Sequence, residues 1–215
     1  MAVRPEFGPT LPALLAKRGV SRRGMLAGAL VLVLVAAGVL VVANHVSHSR
    51  QLVVHSPLEF NFTYDRTLMH PAAPRPGELA RLTGRDGPRR SVAIFARAVR
   101  LPPFTPNFIG ADLPIVAEQR IAQLRAQYPG LEILDEGKAR TNDAQGYQIG
   151  FRVRYPGKRL LGRDVYALPG TNGATTGILM SLRQYLRGTP TKADANWVIA
   201  TRVIFRSFTF GTASN

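Results

Sequence analysis

The sequence predicts an α+β domain, a mainly antiparallel β-sheet packed by two helices, behind a single N-terminal transmembrane helix. Three observations carry that expectation. Met25–Ala43 runs for nineteen residues without a charged, amide or hydroxyl side chain. Several later segments alternate apolar and polar residues with period two, and two others repeat apolar residues at helical spacing. The strand segments are joined by connections of hairpin length, which favours antiparallel neighbours.

As a helix rising ~1.5 Å per residue, Met25–Ala43 would be about 28 Å long, close to the ~30 Å hydrocarbon thickness of a bilayer. Eleven of its residues are Leu or Val, each contributing roughly −0.3 to −0.6 kcal/mol at the centre of a span. Lys17, Arg18, Arg22 and Arg23 precede the run, whereas Asn44–Ser49 beyond it carries only histidines as potential cations. The positive-inside rule then keeps the N-terminus in the cytoplasm and places the C-terminal domain outside the cell membrane. Ser21–Leu26, with Arg22 and Arg23, resembles a twin-arginine export signal, and Val41–Ala43 offers small or branched residues to a signal peptidase. The apolar run nevertheless exceeds the roughly 7–15 residues of a signal core and lacks an A-x-A ending, so a retained single-pass anchor is expected.

Residues 1–24 hold three prolines and few apolar residues, too few to offset ordering entropy, and read as a disordered cytoplasmic stub. Residues 44–57 read as a juxtamembrane linker and 58–211 as the domain, with 212–215 a tail. In Leu58–Asp65, Leu58, Phe60, Phe62 and Tyr64 alternate with polar residues, the pattern of a strand with one buried face. His70–Gly77 contains three prolines and reads as loop. Glu78–Arg85 and Ser91–Arg100 flank Asp86-Gly87-Pro88, a turn-forming cluster that predicts a hairpin. Leu113, Ala117, Ile121, Leu124 and Tyr128 define one face of a helix, capped by Asp112 and stopped by Pro129-Gly130. Strands follow at Leu131–Asp135, at Tyr147–Tyr155 before the Pro156-Gly157-Lys158 turn, at Asp164–Leu168 and at Gly177–Tyr185. Trp197, Thr201, Ile204 and Phe208 mark a C-terminal helix from near Lys192, with Phe208–Phe210 extended.

Segments of this chain resemble the PsbP-like superfamily, a fold of an extrinsic photosystem subunit and of many exported bacterial proteins. The resemblance is carried by Phe60, Phe62 and Tyr64, the helix Asp112–Tyr128, Gly146-Tyr147, Gly177–Met180 and Ile204–Phe210. It covers Leu58–Gly211, departing at Asp65 and Leu68, where members often have Pro and Trp, and in lacking the lipid-bearing Cys of the exported bacterial lipoprotein members. The resemblance implies a binding or assembly module rather than an enzyme, and it transfers no catalytic residue.

The formal net charge is +15, and from Gln51 onward 22 cations face 12 carboxylates, so the domain is basic in its own right. With no cysteine there is no disulfide, thiolate metal site or thiol nucleophile. His45, His48 and His55 lack a nearby carboxylate to complete a zinc site, and His70 stands alone in its loop, so no metal is expected. Asp135 and Glu136, if extended, point to opposite faces and read as a solvated turn. Hydrolase and dinucleotide- or nucleotide-binding motifs are absent, and glycine-rich Gly170–Gly177 runs into a strand rather than a helix, so no cofactor is expected.

The basic residues remain. Arg81, Arg85, Arg89 and Arg90 fall on or beside the first predicted hairpin, and Arg152, Arg154, Lys158, Arg159 and Arg163 on the second. Clustered guanidinium groups suit phosphates and carboxylates through bidentate hydrogen bonds. The expected partners are anionic lipid headgroups, phosphate-bearing wall polymers or an acidic protein; extracellular DNA has the same charge, but nucleic acid is not the expected partner. The sequence thus predicts a membrane-tethered, extracytoplasmic, non-enzymatic binding or assembly module. The alternatives are an envelope hydrolase or transferase acting on an anionic polymer, or a subunit of an envelope transport machine.

Overall fold

A computed structural model describes residues 27, 30–38, 48–101, 109–142, 144–170, 174–188 and 193–212. The chain divides into two compact units, Met1–His48 and Ser49–Asn215. In the first, residues 30–38 are helical with exposed Leu and Val side chains. The stub and most of the remaining Met25–Ala43 run lie outside the described residues. Among the described residues no helix is long and apolar enough to cross a membrane.

The second unit is α+β, as the alternating segments predict. Its elements are β1 (Ser49–Val54), β2 (Phe60–Asp65), β3 (His70–Pro71), β4 (Ala80–Asp86), β5 (Arg90–Arg100), α1 (Ile109–Gln127), β6 (Glu132–Arg140), β7 (Gln145–Tyr155), β8 (Lys158–Leu168), β9 (Thr176–Arg187), α2 (Ala193–Arg206) and β10 (Thr209–Phe210). Seven strands form one sheet in the order β3-β4-β5-β9-β8-β7-β6, and β1-β2-β10 form a second. Every pairing among the described residues is antiparallel.

Several boundaries differ from the sequence reading. Part of the expected linker is β1, which pairs with β2 from Ser49↔Asp65 to Val54↔Phe60. The proline-rich loop opens with β3, held against β4 by Pro71↔Leu82. Asp135 and Glu136 lie within β6 beside a bulge, and not in a turn. Helix α1 starts one turn before Asp112 and carries Pro114 inside it, which forgoes one main-chain hydrogen bond. Pro102, Pro103, Pro106 and the Lys192 helix start lie outside the described residues.

Strand periodicity sends alternate side chains to opposite faces of the large sheet, and each face has its own core. On one face Leu82, Ile94, Val165 and Met180 pack with Trp197, Ile204 and Phe205 of α2 and with Phe60 and Phe62 of the small sheet. Phe208 joins this core, its ring centroid 5.5 Å from Phe60 and 5.1 Å from Phe210. Gly84 is required here, because a Cβ would lie 2.8 Å from the Trp197 ring. On the other face Leu113, Ala117 and Leu124 of α1 pack against Ile149, Phe151 and Val153 of β7.

Under α1 the second core contains charge. Asp164 of β8, fully buried, accepts from Arg183 Nη1 at 2.6 Å and Nη2 at 3.2 Å, and from Arg120 Nε of α1 at 2.8 Å. Arg183 stacks on the Phe151 ring, 4.9 Å from its centroid, and on Phe95 at 5.6 Å. Registers Phe151↔Gly162 and Gly162↔Arg183 explain the stack. A Cβ on Gly162 would fall within the Phe151 ring, so glycine lets that ring lie flat over β8 and reach Arg183. Beyond Phe95, buried Glu78 holds Arg81 at 2.8 Å and Arg97 at 3.4 Å. Burial alone would push the Asp164 carboxyl up, but Arg183 and Arg120 outweigh it and hold it below the usual carboxylate range.

Removing one member of a buried ion group strands its partners, so Asp164→Ala should lower unfolding stability by about 3–5 kcal/mol in chemical denaturation. The acid dependence follows in sign. With its folded pKa below an unfolded value of about 3.9, Asp164 contributes stability that is fully present above that value and lost as pH falls through the folded pKa. Denaturation midpoints should therefore stay level from neutral pH to about 5 and drop below about 4, more shallowly in Asp164→Asn.

Candidate anion-binding face

The β4–β5 and β7–β8 turns and the C-terminal end of β9 lie at one end of the large sheet, because β9 is the strand between β5 and β8. Arg90 pairs with Leu186, which pairs with Arg159, which pairs with Arg154. In the next row Lys158 pairs with Arg187, whose N–H donates to the Arg89 carbonyl at 2.9 Å. Cations from three separate segments thereby converge.

Two shallow basins result. One, of about 340 Å³, is lined by Arg85, Arg89, Arg90, Lys158 and Arg187 with Tyr185. The other, of about 490 Å³, is lined by Arg152, Arg154, Lys158 and Arg159 with Tyr155. Lys158 belongs to both. Its Nζ lies 5.4 Å from the Tyr155 ring centroid and 5.8 Å from that of Tyr185, so the two aromatic faces orient the ammonium. No carboxylate lines either basin among the described residues. Carboxylates beside the basins offset part of the charge: Asp86 pairs with Arg90 across the β4–β5 turn, and Glu132 takes a bidentate bond from Arg152 Nη2 at 2.7 Å. Burial draws the Arg90 guanidinium pKa down; Asp86 opposes this, whereas Arg89 and Arg159 add to it by repulsion. Such an end gathers guanidinium and ammonium donors in excess of the carboxylates beside them, a chemistry that suits a polyanion.

Seven of the nine cations picked from the sequence line these basins. Arg81 does not, being tied to Glu78 beside the Phe95 ring. Nor does Arg163, which pairs with Gly150 and Leu182 and opens toward α2. Arg187 was missed, and only the β8–β9 register reveals it. Arg90 differs in kind from the others: it is buried, with its guanidinium 5.2 Å from the Trp197 ring centroid. His45 lies outside the described residues, His55 and His70 are exposed, and among the described residues no three metal-ligating side chains come together. Asp135 accepts from Gln148 Nε2 at 2.8 Å. Residues 171–173 of the glycine-rich loop lie outside the described residues.

Solved structures similar to this chain include LpqN, a Mycobacterium tuberculosis protein involved in cell envelope biogenesis. It matches at 12% identity over 77% of this chain and 92% of that one, with a TM-score of 0.47. Cyanobacterial PsbP from Synechocystis matches at 12% identity over 76% and 93%, with a TM-score of 0.49. A PsbP, the superfamily that the sequence resembles, is thus among the similar solved structures. No family model and no curated protein matches the sequence.

The contrast between buried and exposed cations is measurable. Arg154→Ala and Arg187→Ala should change stability by less than about 0.5 kcal/mol. Arg90→Ala, which loses a desolvated cation–π contact of about 2 kcal/mol, should be clearly destabilised and should shift the emission of Trp197. Trp197 is the one tryptophan of the chain, so that emission needs no deconvolution.

Proposed function

We propose that this chain is a non-enzymatic, membrane-tethered extracytoplasmic module that holds an anionic partner at the cation-lined end of its large sheet. The observation that carries this reading is the convergence on Lys158 of cations from both hairpins and β9, with no carboxylate among the described lining residues. Lys158 stands directly opposite Arg187, a like-charge pair whose repulsion a bound anion would relieve, and the open, shallow shape suits an extended polymer or a headgroup surface more than an enclosed small molecule. The tether is read from Met25–Ala43 and the cations before it, which orient the domain outward.

The full chain in neutral amphipol should bind fluorescently labelled inorganic polyphosphate, weakening steeply as salt rises from about 0.05 to 0.2 M and the Debye length shrinks. Lys158→Glu with Arg187→Glu should cost at least about tenfold in affinity, or 1.4 kcal/mol. Unchanged affinity in that variant, or equal binding to an uncharged polymer, would refute the electrostatic reading. A reporter fused after Asn215 should be active only outside the cytoplasm, and cytoplasmic activity would reject the topology.

A further inference from the structure

A second cation group lies away from the sheet end, in a groove between α2 and strands β6–β8. It has two abutting compartments that share Arg163, Arg202 and Phe205. The first, of about 190 Å³, is mainly apolar, with Leu134, Leu161, Leu182 and Val198 along it. The second, of about 310 Å³, brings Lys138 and Arg206 beside Arg163 and Arg202. Polarity is therefore graded along the helix, since Val198, Arg202 and Arg206 follow at i, i+4 and i+8 on one stripe. The opposite wall repeats the gradient: Leu134 and Lys138 stand four residues apart on β6.

We infer that this groove binds a single-chain anionic amphiphile, a carboxylate or phosphate head on one acyl or alkyl tail. The tail lies against Leu134, Leu161 and Val198, and the head is taken by Lys138, Arg163, Arg202 and Arg206. Charge complementarity supports the head. Four full cations outweigh the roughly −0.5 charge of the α2 C-terminus, and the one carboxylate among the described lining residues, Asp135, is in the apolar compartment and bonded to Gln148. Exposure supports the tail, for Leu134 and Val198 are half exposed, at 50% and 48%, and no described residue covers them further. Size limits the ligand to one chain, because the apolar compartment is below the roughly 300 Å³ of sites that enclose a whole drug-sized molecule. A peptide strand would have to pair with β6 across its Ile133/Asp135 bulge, a feature that blocks edge pairing.

The test uses the full chain in amphipol and decyl phosphate with a photoreactive group at the tail tip, sites of labelling being read by mass spectrometry. Labelling is expected on the β6 and α2 segments around Leu134 and Val198. It should be displaced by plain decyl phosphate and at least about tenfold less well by decanol or inorganic phosphate, each of which lacks half the ligand. Arg202→Glu with Arg206→Glu should reduce labelling about tenfold or more, and Val198→Ser should also weaken it. Lys158→Glu, at the other cation cluster, should leave it unchanged, which separates this site from the polyanion face. Labelling confined to Met25–Ala43, labelling indifferent to the Arg202/Arg206 exchange, or equal displacement by an acidic peptide would each overturn the inference.

Discussion

The buried ion group of Asp164, Arg183 and Arg120 is the constraint on which the arrangement of this domain depends. Two of its members belong to adjacent strands and the third to the helix above them, so it ties α1 to the sheet at one point. Ionic groups in a core gain little net stability over apolar packing, because desolvation offsets most of the attraction. What they supply is a penalty for every other arrangement: a shifted helix or a slipped β8–β9 register would leave a carboxylate or guanidinium buried alone. The cost is further reduced by Phe151, whose ring covers Arg183 because Gly162 leaves room for it.

That register determines where the surface cations go. Helix α1 carries the chain from β5 to the far edge strand β6, and β6 to β9 then return as a meander until β9 meets β5. In this order the turns after β4 and β7 open at the same end, with the last residues of β9 between them. Turn residues are solvated and tolerate charge; here three such ends are cationic at once. Lys158 and Arg187, directly paired, hold like charges opposite each other, an arrangement that is destabilising in isolation.

The sequence makes some of this legible and hides the rest for physical reasons. Strands β2 and β7 are visible because each has one face in a core and alternates accordingly; the helix faces are visible for the same reason at a different period. β1 is hidden because its partner comes from later in the chain and its own alternation is weak. Asp164 and Arg183 look like ordinary polar positions within strands, since a charge neutralised by a partner 19 residues away leaves no local pattern. The cations of the two hairpins can be identified one by one, but their convergence is a property of strand order. Arg163 illustrates the point: grouped with Lys158 by proximity in the chain, it is carried five residues along β8 and into the α2 groove.

The two cation clusters differ in the anion each can hold. At the sheet end most of the long side chains, Arg90 apart, stand on or beside turns and reach solvent, where screening over about 8 Å confines attraction to near contact. Affinity there must come from many weak contacts made together, which an extended polyanion provides and a lone phosphate does not. In the α2 groove the cations stand beside Phe205 and an apolar trough. Apolar burial there adds about 25 cal/mol for each Å² removed from water, and that contribution does not weaken with salt. On the proposed reading a basic net charge would serve two distinct recognition problems on one scaffold, and the apolar surface beside the charge would distinguish them.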